Sequence, residues 1–273
     1  MTNIPFAQID AFASKVFEGN QACVMLVDEF LPDAMLQAIA AENNVAETAF
    51  IVADGEARWQ LRWFTPAVEV PLCGHATLAA GHYLYAHGGF DGDQITFVTR
   101  QSGELYVSRL ADGRLEMDFP AAEIYPLEID EAIVDALGAR PVEVWGGSLY
   151  CAIFASVDEV LALSPDYRKL ATLGISGGGW GGGNFGCLAL VGTDGIDVTS
   201  RFFAPGSGID EDPATGAWHT MVAPVMAKKT GRIAFECYQA YPGRGARIGA
   251  ELLGDRVILR GHSVTVIEGV FRL

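Results

Sequence analysis

Apolar side chains alternate with polar ones through most of this chain and recur at helical spacing in four places, a pattern that predicts many strands and few helices. Residues 4–12 and 22–27 read as strands separated by the Gly19-Asn20 turn. Met35, Leu36, Ile39 and Ala40 mark a helix over 33–42, opened by Pro32-Asp33 and stopped by Asn43-Asn44. Strands follow at 48–52 and 58–64, the latter alternating Trp59, Leu61 and Trp63. The helix at 75–87 is apolar on nearly every face, so other structure must wrap it.

Strands at 94–99, 104–110 and 114–119 come next, with turns at Ser102-Gly103 and Asp112-Gly113, and residues 120–126 read as a crossover. A short helix at 129–137 closes on Gly138. Strands near 142–145, 150–155, 186–191 and 198–203 lead to a helix at 217–229, bent or broken at Pro224. The segments 234–238, 245–252, 256–260 and 263–271 alternate like antiparallel strands. The expected class is α+β: two mostly antiparallel half-barrels, each holding a long apolar helix, with domains at 1–119 and 120–273 and the strand near 264–273 a candidate to return to the first.

Two internal echoes suggest that the halves are related. Phe64-Thr65-Pro66 is followed seven residues after its proline by Cys73, and Phe203-Ala204-Pro205 in the same way by Asp212. Upstream, Gly19-Asn20-x-Ala22-Cys23-x-x-Leu26-Val27 is matched by Gly183-Asn184-x-Gly186-Cys187-x-x-Leu190-Val191. The offsets differ, 139 residues from Phe64 to Phe203 and 164 from Gly19 to Gly183, so the second half reads as lacking a segment that in the first contains Glu47. Two related halves are expected to face one cleft.

With 273 residues, half of them apolar, the chain can bury a full core. Its net charge of -16 repels phosphate backbones and anionic membrane surfaces, which disfavours nucleic acid and membrane as partners. The start shows no basic region ahead of an apolar run and no apolar stretch reaches membrane-spanning length, so a cytoplasmic protein is expected. Five scattered cysteines form no disulfide framework and read mostly as small buried hydrophobes.

The run Pro71-Leu72-Cys73-Gly74-His75-Ala76-Thr77 delivers the chain into a helix whose first amides have no internal partner, a natural carboxylate or phosphate site. Gly74 allows close backbone approach, and His75 adds a group that exchanges protons near neutrality; plain packing or capping is the competing account. Asp212-Pro213 reads as a helix entrance, with capping again the alternative to a functional carboxylate. Glu47, among apolar neighbours at a strand start, is placed where desolvation would raise its pKa for acid/base work. Gly177-x-Gly179-x-x-Gly182 leads into a strand rather than a helix, so it is rejected as a dinucleotide site and read as a flap or tight connection. His82, His87 and His262 read as packing or surface residues, and no spacing indicates a metal.

Together, Asp10-Ala11-Phe12, Phe17 to Val24, Asn44 to Phe50, Arg62 to Ala80, Arg201 to Pro205 and Glu211 to Gly216 resemble the PhzF-like phenazine-biosynthesis isomerases, of the diaminopimelate epimerase structural class. The resemblance implies two pseudo-symmetric domains, each a barrel around a central helix, a homodimer, and a site without metal or cofactor. It implies Glu47 as the acid/base, His75 and Asp212 as groups that position and polarise the substrate, and Asn20, Cys73, Gly74, Ala76, Thr215 and Gly216 as substrate contacts. The implied activity is a proton shift within a small carboxylated metabolite. Alternatives are an amino-acid epimerase using Cys73 with Asp212, or a non-catalytic ligand-binding protein. Thr215-Gly216-Ala217-Trp218-His219 departs from the family's Thr-Gly-Ser-Ala-His, trading a hydroxyl for an indole that would reshape the pocket.

Overall fold

The structure, a computed structural model, describes residues 3–147, 149–174, 183–190 and 195–273. The Gly177 to Gly182 motif lies outside them. The chain divides into two compact units, Met1–Asp118 with Arg260–Leu273, and Phe119–Leu259.

The first unit begins β1 (Asn3–Ala11), β2 (Asn20–Leu26), α1 (Asp33–Asn43), β3 (Glu47–Ala53) and β4 (Arg58–Phe64). It continues β5 (Glu69–Val70), α2 (Gly74–Ala86), β6 (Gln94–Thr99), β7 (Glu104–Arg109) and β8 (Leu115–Pro120). The second runs β9 (Tyr125–Leu127), α3 (Glu131–Leu137), β10 (Glu143–Gly146), β11 (Tyr150–Phe154), α4 (Val157–Ala162), α5 (Tyr167–Thr172), β12 (Phe185–Ala189) and β13 (Val198–Phe203). After α6 (Gly216–Thr230) come β14 (Ala234–Tyr241), β15 (Arg244–Leu253), β16 (Arg256–Gly261) and β17 (Ser263–Arg272). The last of these pairs antiparallel with β1 in the first unit. The fold is α+β with mixed strand pairing.

Pairing alternates for a reason visible in the connections. Hairpin-linked or short-looped neighbours such as β1–β2, β3–β4 and β6–β7 are antiparallel. The parallel pairs β2–β3 and β4–β6 are those with a helix in between, α1 and α2, because a parallel return needs a crossover. The second unit repeats the order: β10–β11 antiparallel, β11–β12 parallel across α4 and α5, β12–β13 antiparallel, β13–β14 parallel across α6, β14–β15 antiparallel.

This order corrects the upstream echo. Asn20 opens β2, whereas Asn184 precedes β12, whose place in the order is that of β3. Thr48 stands opposite Phe64 and Phe185 opposite Phe203, so Asn184 occupies the register of Glu47. The second half therefore has the strand it was expected to lack, with an amide in place of the carboxylate. The unequal offsets arose from pairing strands that are not equivalent.

Helix α2 has the burial its composition demands, with Ala76, Leu78, Ala79, Ala80 and Leu84 all at or below 1% exposure and β1, β2, β3, β7 and β17 packed around it. His82 and His87 are not idle: both Nε2 atoms reach Thr265 Oγ1 of β17, at 3.0 and 2.8 Å. Helix α6 is continuous through Pro224 rather than broken there. None of the described helices is long and apolar enough to cross a membrane.

Candidate active site

The register of β3 and the start of α2 bring four side chains of the first unit together. Ala22 in β2 pairs with Glu47, the first residue of β3, while Asn20 opens β2 two residues earlier. Cys73 is the N-cap of α2 and His75 lies in its first turn, with Thr77 Oγ1 donating back to Cys73 O at 2.6 Å to tie the turn. His75 is the hub. Its Nε2 lies 2.8 Å from Glu47 Oε2, and its Nδ1 lies 3.6 Å from Cys73 Sγ and 3.3 Å from Asn20 Nδ2.

Both ring nitrogens are thus engaged from opposite sides, and Asn20, Cys73 and His75 are all buried. Glu47 Oε2 and His75 Nε2 are both closed to solvent where they meet. They form a close, buried charge contact.

Burial by itself opposes charge on His75, yet Cys73 at one nitrogen and Glu47 at the other outweigh it and hold the imidazole well above its ordinary 6.5. Burial, then the charge of Glu47, pushes the Cys73 thiol up from 9.0 against the pull of His75. The other cysteines are also free and buried, and burial raises Cys23 to about 11.

Glu47, Cys73 and His75 place one ligand atom each within 4.8 Å of the others, so as types they could hold a metal. The geometry opposes it. Cys73 faces Nδ1 and Glu47 faces Nε2, and the lone pairs of those nitrogens diverge, so one ion cannot take all three without turning the ring.

In the second unit Asp212 lies on the turn before α6. Its amide donates to Phe202 O at 3.0 Å and its Oδ2 accepts from Thr215 Oγ1 at 2.5 Å. The helix starts at Gly216 with Thr215 as N-cap, so Asp212-Pro213 is not the helix entrance that its sequence suggested. Counted from the helix start, Cys73 corresponds to Thr215 and not to Asp212. The second loop is three residues longer, and counting from the proline concealed that.

Trp218 also differs from its expected role. It is fully buried, 5.9 Å centroid to centroid from Phe202, and a β-carbon on Gly186 would fall 2.3 Å from its ring. The indole fills core space left open by a glycine.

Two arginines hold these loops. Arg62, in β4, donates Nε and Nη2 to the two carboxylate oxygens of Glu69, each at 2.8 Å, and Nη2 also to Asp33 at 2.9 Å. Arg201, in β13, grips Glu211 at 2.7 and 2.8 Å and donates to Leu163 O at 2.6 Å. Each stands two residues before the Phe of Phe-x-Pro and lies over that ring, at 5.0 and 4.7 Å. Extending the repeat upstream to Arg-x-Phe-x-Pro would have flagged both.

Residues 9–269 match the family described as phenazine biosynthesis-like protein, PhzC-PhzF. An uncharacterized isomerase of Pseudomonas aeruginosa is 42% identical over 275 residues, covering 99% of each chain. The human phenazine biosynthesis-like domain-containing protein is 33% identical over 294 residues, covering 97% of this chain and 98% of the relative. A crystal structure of a PhzF family protein from Enterococcus faecalis superposes with a TM-score of 0.92 at 33% identity, covering all of both chains. An α+β fold with relatives named as isomerases supports an isomerase. The chain belongs to the phenazine biosynthesis-like, PhzC-PhzF, family.

Proposed function

We propose that the protein moves a proton within a small carboxylated, unsaturated metabolite, with Glu47 as the acid/base and no cofactor. The observation that carries this reading is the 2.8 Å contact of Glu47 Oε2 with His75 Nε2, both atoms shielded from solvent. Glu47 takes a proton from a carbon acidified by conjugation and returns it to another carbon of the same system, so one C–H bond breaks, another forms, and no electrons leave the substrate. The imidazolium of His75 and the first amides of α2, including those at Gly74 and Ala76, supply positive potential where the substrate carboxylate gains charge. Asp212 serves the same reaction by its resemblance to the family motif, as do Asn20, Cys73, Thr215 and Gly216 in contacting substrate. The scaffold is a pair of related half-molecules, each with its strands closed about α2 or α6, and the repeated pairing order supports that view. A homodimer is part of the same reading.

The test is uptake of deuterium from heavy water into a panel of unsaturated carboxylic acids. Label should enter with the native protein and with Glu56→Gln, an exposed control, and not with Glu47→Gln. Absence of label in every acid, or undiminished uptake by Glu47→Gln, rejects the reading. A second reading, epimerisation at an amino-acid α-carbon, is favoured by one observation, the Cys73 thiol 3.6 Å from His75 Nδ1, which gives the site a second proton donor.

A further inference from the structure

The turn that carries Asp212 is held by a glutamine of the neighbouring strand. Gln239, on β14, is fully buried. Its Nε2 donates to Asp212 O at 2.6 Å and lies 3.1 Å from Thr215 Oγ1, while its Oε1 accepts from Thr215 N at 3.0 Å. The orientation of that amide is forced, because Thr215 N–H can only donate and Asp212 C=O can only accept. The Thr215 hydroxyl has one hydrogen and gives it to Asp212 Oδ2, so toward Gln239 it must accept.

We propose that Gln239 and Thr215 are positioning residues for the Asp212 carboxylate. Hydrogen bonds run in one direction, from the Gln239 amide to the Thr215 hydroxyl to Asp212 Oδ2, and each link polarises the next toward the negative charge at the end. A hydroxyl donated to a carboxylate favours its ionised form. The same glutamine closes both ends of the Asp212–Thr215 turn through backbone atoms, so it fixes where the carboxylate points as well as its charge. The pairing of β14 with β13 makes this possible, since Gln239 stands opposite Ser200, three residues before Phe203 and the turn. The kinetic part of this inference rests on the reading that Asp212 serves the isomerisation; the structural part does not.

Two measurements on the full chain separate those parts. The first needs no substrate: carbon-13 NMR titration of the Asp212 carboxyl in the native protein, Thr215→Val, Thr215→Ser and Gln239→Leu. Thr215→Val, which keeps the shape and loses the hydroxyl, should raise the Asp212 midpoint by about one pH unit. Thr215→Ser should restore it, and Gln239→Leu should move it in the same direction by less. A midpoint unmoved in Thr215→Val overturns the proposal; that variant and its serine rescue decide the matter even where Gln239→Leu does not fold. The second is the heavy-water exchange rate. Thr215→Val should lower kcat roughly tenfold or more with little change in KM, and Thr215→Ser should recover it. Full activity in Thr215→Val beside a slow Asp212→Asn overturns the positioning role. Full activity in Asp212→Asn with the expected NMR shift leaves the positioning of the carboxylate standing and removes Asp212 from the reaction.

Discussion

Trp218 covers the bare α-carbon of Gly186 so closely that any side chain there would meet its six-membered ring, the nearest atom 2.3 Å from the added carbon. Gly186→Ala should therefore destabilise the protein by about 1–3 kcal/mol through overpacking. Urea unfolding measures the loss. The double variant Gly186→Ala with Trp218→Phe should be less destabilised than the sum of its parts, because the smaller ring relieves the contact. Additive losses would show that the two residues do not share this space.

Arg201 and Glu211 are both nearly closed to solvent, at 10% and 7% side-chain exposure. Glu211→Gln leaves a buried guanidinium without its counter-charge, and should cost about 3–5 kcal/mol. Replacing both, as Arg201→Met with Glu211→Leu, should cost less than the single change, since no charge is stranded. A thermal melt of the three variants reports the order.

Acid should weaken the protein through His219. Burial holds its folded pKa at about 4, against 6.5 for the ordinary imidazole, with its Nδ1 2.9 Å from Thr215 O. Between those values only the unfolded chain binds the proton, so stability is whole above pH 6.5 and falls by roughly 3 kcal/mol on the way down to pH 4. His82, also depressed to about 4 by burial and by His87, adds a loss of the same sign. His75 acts oppositely: with its folded pKa raised, its contribution is complete below 6.5 and disappears as pH climbs through the folded value. Urea midpoints at pH 4.5, 5.5 and 7 should fall toward acid, and fall less steeply in His219→Gln. A midpoint independent of pH in the native protein contradicts this.

Cys73→Ser separates the two enzymatic readings. Where Glu47 alone carries the proton, the serine variant should retain exchange within about tenfold, having lost the thiol's contacts and no proton-carrying group. Where the thiol is itself an acid or base, exchange or racemisation should drop by about a thousandfold or more, since a hydroxyl is far too weak an acid to replace it. The heavy-water assay reads both outcomes.

Much of the fold could be read before any coordinates. The stop at Asn44, which takes φ 48, and the close at Gly138, φ 74, were legible because few residues tolerate that backbone. Helix α2 betrayed its burial by being apolar all round. Helices α4 and α5 were missed because six residues are too few to show a period, and only their caps, Ser156 and Asp166, marked them. The site was legible in its residue types and less so in its register. Cys73 and Asp212 sit at equal distances from their prolines yet at different distances from their helices, and no local pattern records an inserted turn. The repeat Arg-x-Phe-x-Pro marks Arg62 and Arg201 but not their partners, and the reach of Gln239 to Asp212, 27 positions away, leaves no signal in a one-dimensional pattern.

The pairing of Asn3 with Arg272 has a consequence for how the molecule is made. The second unit is one uninterrupted stretch, complete once residue 259 has left the ribosome. The first cannot finish until residue 272 follows, so the edge of β1 that β17 covers waits for everything between them, and the second unit is free to close before the first does.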